Sequence, residues 1–356
     1  MMKLLIPIVF ALCISCSKGR TTSIPGGDAT IKGADLSFLP EIEGSNIPFF
    51  DPNDVKNDML SILKQAGCNT IRLRLWHSPA DGHSGFQEVA NFAARIKSTG
   101  LKIWLDIHYS DTWADPAHQT KPDKWINIDK EALKDSIYQY TYRVVSAIKP
   151  EIVQIGNEIN NGFLWPSGNL SDENNQANFI ELLKSGTKGA RNASPSSLIM
   201  LHFAGIEGSP WFFESLIANN IDYDLVGLSF YPYYHGKDFA LLSSTLSRLK
   251  KSTGKKVLIA ETAYPFTLGW NDNTNNVVGQ DSQLMAGYSA TPSGQKEFIS
   301  ALIKSIKSAG GDGFCYWGGE WVAFKGSQAT NGSSWENQAL FDFNNKALPV
   351  LDNFRE

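Results

Sequence analysis

From Ile31 onward the chain alternates, eight times over, between a short apolar run of strand character and a longer stretch of helical periodicity. The strand-like runs are Ile31–Leu36, Thr70–Trp76, Lys102–His108, Ile152–Asn157, Leu198–Phe203, Asp224–Phe230, Lys256–Glu261 and Gly313–Trp317. Helical stretches lie between them at Asn53–Ala66, Phe86–Ser98, Asp129–Ile148, Asn174–Ala193, Pro210–Asn219, Phe239–Thr253 and Ser293–Ser308, and "ALPVLDNF" reads as a short last helix. Eight such repeats predict a single α/β domain over residues 31–356, a (β/α)8 (TIM) barrel. A doubly wound sheet would place a glycine-rich phosphate turn after its first strand, and "GADLSF" has none.

The connections are lopsided. Before each strand they are short and often end on a helix-capping glycine, as in "KQAGCNT" and "KSTGKKV". After the strands they are long: Ser37–Pro52, Tyr109–Ile128, Ile159–Glu173, Thr262–Thr291 and Gly318–Lys346. Long βα loops form a cleft at the C-terminal face of a barrel, where such folds carry their chemistry.

Residues 1–15 read as an export signal, with Lys3 ahead of an apolar stretch from Leu4 to Ile14 that is too short to span a bilayer. Cys16, after Ile14 and Ser15, resembles the lipidated cysteine of a bacterial lipobox. Residues 16–30 would then be a lipidated tether, and the expectation is an outer-membrane lipoprotein touching the membrane only through that anchor, with monomer as the default state. The other two cysteines, Cys68 and Cys315, are no disulfide framework and read as small buried residues. A net charge of −4 and the lack of a basic run argue against nucleic acid. Ten tryptophans exceed the needs of a core and suit a cleft with flat aromatic faces.

Alternation along the strands places Arg72, Arg74 and Trp76 on one face, and Trp104, Asp106 and His108 on another. The fourth run closes on Asn157 and Glu158, and the seventh closes on Glu261, taken as aligned with Val257 and Ile259. A buried carboxylate is costly unless paired or protonated, so two at opposite sides of a barrel mouth call for a chemical role. Glycosidic cleavage needs such a pair, one protonated to release the leaving oxygen and one ionised. An arginine beside the ionised member holds its pKa down, and Arg74, nearer the strand end, is preferred to Arg72 for Glu261. The six histidines form no HxH or HExxH pair, so a zinc hydrolase lacks its ligands. Glu320 is read as a loop residue outside the reaction, and no GxSxG elbow is present.

The segments "KGADLSFLPEIE", "GCNTIRLRLW", "DIHYSDTWADPAHQTKPDKW", "VQIGNEINNGFLWPSG", "ETAYPFT" and "SWENQALFDF" resemble the endo-β-1,4-galactanases of glycoside hydrolase family 53, within the retaining glycosidases of clan A. The resemblance runs from Ile31 to the C-terminus. It implies that Glu158 is the acid/base, Glu261 the nucleophile and Asn157 a ligand for the sugar 2-hydroxyl. Arg74, His108, Asp111, Trp113, Tyr231 and Trp317 would line or support the subsites for β-1,4-galactan, and no cofactor is needed for the chemistry. Calcium held by some members maps to Asp272 and Asn276, with Glu336 from the next loop. Another retaining endo-glycosidase (a mannanase or xylanase) and a non-catalytic glycan-binding lipoprotein are the alternatives.

Overall fold

The computed structural model describes residues 30–356, so the export signal, Cys16 and all of the tether except Thr30 lie outside the described residues. Eight parallel strands close into a barrel. They are β1 (Ile31–Asp35), β2 (Thr70–Leu75), β3 (Lys102–Ile107), β4 (Ile152–Ile155), β5 (Leu198–Ala204), β6 (Leu225–Ser229), β7 (Lys256–Thr262) and β8 (Gly313–Tyr316). Each pairs with its sequence neighbours, and β8 closes the ring on β1 through Ile31 opposite Gly313.

Helices form where apolar side chains recur on one face and where a short polar side chain caps the first turn. Asp58, Asp129, Asp238 and Thr291 accept from backbone N–H groups of helices Met59–Ala66, Lys130–Ile148, Phe239–Thr253 and Pro292–Ser308. Each such cap contributes about 1 kcal/mol. The first predicted helix is shorter than its periodicity suggested, because Asp58 starts it and Asn53 lies in a turn. "ALPVLDNF" is a 3-10 helix over Pro349–Arg355. Leu39–Gly44 in the first long loop is helical, which the sequence reading missed.

Two apolar clusters result. The larger lies between strands and helices. The smaller fills the barrel with Ile31, Trp104, Ile152, Met200, Leu225, Leu258, Ala260 and Cys315. Among the described residues Cys68 and Cys315 are buried free thiols, and burial pushes Cys68 up to about 12. Above the apolar plug the inward side chains turn polar. Among the described residues no helix is long and apolar enough to cross a membrane.

Candidate active site

Both glutamates reach the barrel mouth through a break in regular strand geometry. In β4 the inward residues are Ile152 and Gln154, and the same parity carries on to Glu158. Asn157 has the wrong parity and would face the helices. Gly156, at φ +77°, and Glu158, at φ +48°, turn the backbone so that both side chains enter the cleft. A side chain on Gly156 would put its Cβ 2.6 Å from Ile159 Cγ2. A non-glycine residue in the left-handed region is strained, and such strain concentrates at functional sites.

In β7 the expected alignment of Val257, Ile259 and Glu261 does not hold. Leu258 and Ala260 point into the barrel while Val257 and Ile259 pack outward. Leu228 pairs with Ile259, but the next residue, Ser229, pairs with Glu261, so the register slips by one. This bulge swings Glu261 inward. Bulges re-aim side chains beside active sites in just this way.

The glutamates line a cleft of about 130 Å³ with Asp35, Arg72, Arg74, Asp106, His108, Trp113, Asn157 and Trp317 among its walls. An oxygen of Glu158 and one of Glu261 lie within 4.8 Å of each other. So close an approach suits a retaining pair, whose carboxyls stand roughly 5–5.5 Å apart.

The arginine assignment is corrected. Arg72, not Arg74, touches Glu261, with Nη2 at 2.9 Å from Oε1. Arg72 also pairs with Asp35 and Asp106 at 2.8 Å each, and donates to Asn157 Oδ1 at 2.8 Å and Gln154 Oε1 at 3.2 Å. Arg74 donates to Ser84 Oγ and lies under the faces of Phe38, Trp76 and Trp113. An arginine leans along its strand, so the one set deeper delivers its guanidinium level with the strand ends.

Tyr231 donates to Glu261 Oε2 at 3.0 Å, a more intimate place than a subsite wall. His108 gives Asp106 a 2.9 Å hydrogen bond through Nε2, and its Nδ1 accepts from Trp76 and from Ala114 N. Burial pushes its pKa down, consistent with a neutral ring. Asp111 stands outside the walls of this 130 Å³ cleft: its carboxylate accepts from Ser78 N and Asp123 N, tying two loops together. Trp113 and Trp317 stand with centroids 6.1 Å apart and supply the flat walls.

Burial lifts both carboxyls, Glu158 to about 7 and Glu261 to about 8. Two carboxyls this close titrate as a pair and share a proton near neutrality. Direct contacts decide which one holds it. Both oxygens of Glu261 face donors, Arg72 Nη2 and Tyr231 OH, which favour the anion. Among the described residues Glu158 has Ser229 alone within hydrogen-bond distance of its carboxyl, so the proton belongs to Glu158. His202 completes a close trio with the two glutamates. The trio is a poor cation site, because both ring nitrogens of His202 are engaged and Arg72 already neutralises Glu261.

The sequence analysis did not single out Asp35 and Gln154. The signal was their inward parity on strands whose other inward residues are apolar.

A closed parallel barrel with paired glutamates on its fourth and seventh strands, an arginine on one and an aromatic cleft above defines a retaining glycoside hydrolase. The profile of glycosyl hydrolase family 53 matches residues 31–354. The chain is 34% identical to an arabinogalactan endo-beta-1,4-galactanase of Cellvibrio japonicus, over 97% of this chain and 95% of that one. It is 31% identical to an endo-beta-1,4-galactanase of Bacillus subtilis, over 91% and 85%. The GH53 catalytic domain of Ignisphaera aggregans superposes with a TM-score of 0.87 at 37% identity, covering 93% of this chain and 97% of that one. A GH10 structure from Paenibacillus barcinonensis, 17% identical over 92% of this chain and 94% of that one, shares the fold alone, at a TM-score of 0.59. The chain belongs to glycosyl hydrolase family 53.

Proposed function

We propose that this protein cuts β-1,4-linked galactan, including the galactan backbone of type I arabinogalactan, at internal bonds by double displacement. The observation that carries the mechanism is the Glu158–Glu261 approach within 4.8 Å, with Arg72 paired to Glu261 and not to Glu158. Glu261 attacks the anomeric carbon while Glu158 protonates the departing oxygen. A water activated by the ionised Glu158 then displaces Glu261 from the covalent glycosyl-enzyme. The galactan preference is supported by the relatives' names and by a cleft walled with Trp113 and Trp317.

The test is incubation with galactan, arabinan, mannan and xylan, with NMR of the first anomer released. Galactan cleavage to a β-anomer is expected, and a first-formed α-anomer overturns the mechanism. Preference for mannan or xylan overturns the substrate. Glu158→Gln should lower turnover by about 10²–10⁴-fold, the scale of a lost general acid.

The same reading includes a structural calcium and a lipid anchor. Asp272 Oδ2, Asn276 Oδ1 and Glu336 Oε2 are buried oxygens without hydrogen-bond partners among the described residues, which fits part of the 6–8 oxygens that calcium takes. Bound calcium would neutralise Asp272 and Glu336 and clamp the loops after β7 and β8. Added at about 100 times its Kd, it should stabilise the fold by about 2.7 kcal/mol; an unchanged melting temperature overturns the site. The anchor rests on Cys16 and its small, apolar surroundings. Cys16→Ala should move the protein, which acts as a monomer, from the membrane fraction to the soluble one.

A further inference from the structure

A chain of hydrogen bonds runs from Glu158 into the barrel wall. Glu158 Oε1 is 2.5 Å from Ser229 Oγ, Ser229 Oγ is 2.9 Å from His202 Nε2, and His202 Nδ1 is 2.9 Å from Asn157 Oδ1. Ser229 and His202 are fully buried. Their hydrogens can be placed by counting donors.

Gln154 Oε1 receives Trp104 Nε1 at 3.0 Å and Arg72 Nε at 3.2 Å, groups that only donate, which fixes its amide. Asn157 Oδ1 receives Arg72 Nη2, and its Nδ2 donates to Ala114 O at 2.9 Å, which fixes that amide too. Asn157 Oδ1 can only accept, so His202 Nδ1 beside it carries a hydrogen. One hydrogen on Gln154 Nε2 serves Gly156 O at 3.1 Å, and the other points at Asn157 Oδ1 at 3.1 Å, a third and longer contact behind Arg72 Nη2 at 2.8 Å and His202 Nδ1 at 2.9 Å. The approach of Gln154 Nε2 to His202 Nδ1 is then an unbonded contact. Burial and the Arg72 charge hold His202 well below its ordinary pKa, so the ring is neutral and Nε2 is bare. Nε2 takes the single hydrogen of Ser229. The hydrogen in the 2.5 Å gap must then come from Glu158.

We propose that Ser229 and His202 are positioning residues that store the acid's proton: resting Glu158 is a neutral acid donating through Oε1 to Ser229, which donates to His202 Nε2. This deepens the reading of Glu158 as general acid and rests on it. The direction matters. A serine donating to Glu158 would favour the carboxylate, whereas a serine accepting from it favours the acid. In the forward step the leaving sugar oxygen takes this proton in competition with Ser229. The glycosidic bond breaks as Glu261 bonds to the anomeric carbon. Glu158 regains one proton from the attacking water, and Ser229 and His202 end the cycle with the protons they began with.

Other charges facing Glu158 are Arg72 from β2, Asp106 from β3, Asp115 from the following loop, Glu261 from β7, and Tyr231 and Tyr234 after β6. All are retained in the variants that test the proposal. The pH profile of kcat/KM on galactan is recorded for the wild type, Ser229→Ala and Ser229→Thr. Loss of the acceptor in Ser229→Ala should move the alkaline limb to lower pH by about one unit, the worth of one net hydrogen bond. Ser229→Thr should leave it in place. An alkaline limb that stays or rises in Ser229→Ala overturns the proposal. A second measurement needs neither substrate nor a variant at Ser229: ¹⁵N NMR of His202, assigned by its loss in His202→Gln. Hydrogen on Nδ1 with Nε2 bare is expected, and hydrogen on Nε2 overturns the proposal. Failure of the wild type on galactan would sink the functional reading without touching this tautomer result.

Discussion

Arg72 and Arg74 leave β2 on the same face, two residues apart, and end in opposite surroundings. Arg72 is surrounded by Asp35, Asp106 and Glu261, which hold its guanidinium well above the ordinary value. Arg74 has aromatic faces instead, its Cζ lying 4.5 Å from the Phe38 centroid, 4.4 Å from Trp76 and 4.1 Å from Trp113. Burial pulls it down to about 10. The deeper arginine organises charge beneath the reacting atoms. The outer one braces the flat walls against which a sugar ring would lie. One residue type thus does electrostatic work at one level of the barrel and packing work at the next.

The contrast can be broken at four points. Removing the anion that Arg72 serves is the most severe: Glu261→Gln should cost kcat/KM on the order of 10⁶-fold, the scale of a lost nucleophile. Its melting curve should stay cooperative, and turnover within tenfold of the wild type would take Glu261 out of the reaction. Arg72→Met leaves three buried carboxyls without their cation, and should destabilise by about 3–5 kcal/mol in urea denaturation. A loss below about 1 kcal/mol, the ceiling for most exposed pairs, would mean the cage is solvated.

Arg74→Met keeps the apolar stem and drops the charge. With each cation–π contact contributing about 0.5–2 kcal/mol and the three not additive, a net loss of about 1–2 kcal/mol is expected. KM should rise a few-fold with kcat nearly unchanged; a hundred-fold fall in kcat at constant KM would put Arg74 in the same role as Arg72.

The smallest effect is at Glu320. This buried carboxyl accepts from Phe38 N at 2.7 Å, its other oxygen has no partner among the described residues, and burial raises its pKa well above the ordinary range. The folded state therefore keeps a proton that the unfolded state releases near pH 4.3. The associated stability is present below that pH and is lost as pH climbs toward the folded pKa. Glu320→Gln removes this dependence, so the variant should gain on the wild type between pH 5 and pH 8. Melting curves with the same offset at both values would refute it.

The barrel was legible because periodicity reports which side of an element is buried, and eight repeats leave few topologies. Glu158 was legible too, since its parity agrees with Gln154. Glu261 was found through its chemistry despite its parity: "VLIAET" carries no glycine or proline to mark the slip between Ile259 and Glu261. The choice between Arg72 and Arg74 failed because sequence gives a side chain's face but not how far it leans along the strand. The partners of Asp111 were illegible for another reason. Ser78 N and Asp123 N are backbone groups of separate loops, and no local pattern records where loops cross.

Strand β1 enters the barrel at its base, where Ile31 meets the start of β8, and the 3-10 helix Pro349–Arg355 packs under that same end. There Phe354 O lies against the turn at Gly67. The cleft opens at the opposite pole. A molecule held to a surface by residues before Ile31, or fused to a partner after Arg355, therefore presents its open mouth to the surroundings. For a substrate that is a long, slowly diffusing polymer, that polarity lets an immobilised enzyme meet the chain side-on instead of burying its groove against the support.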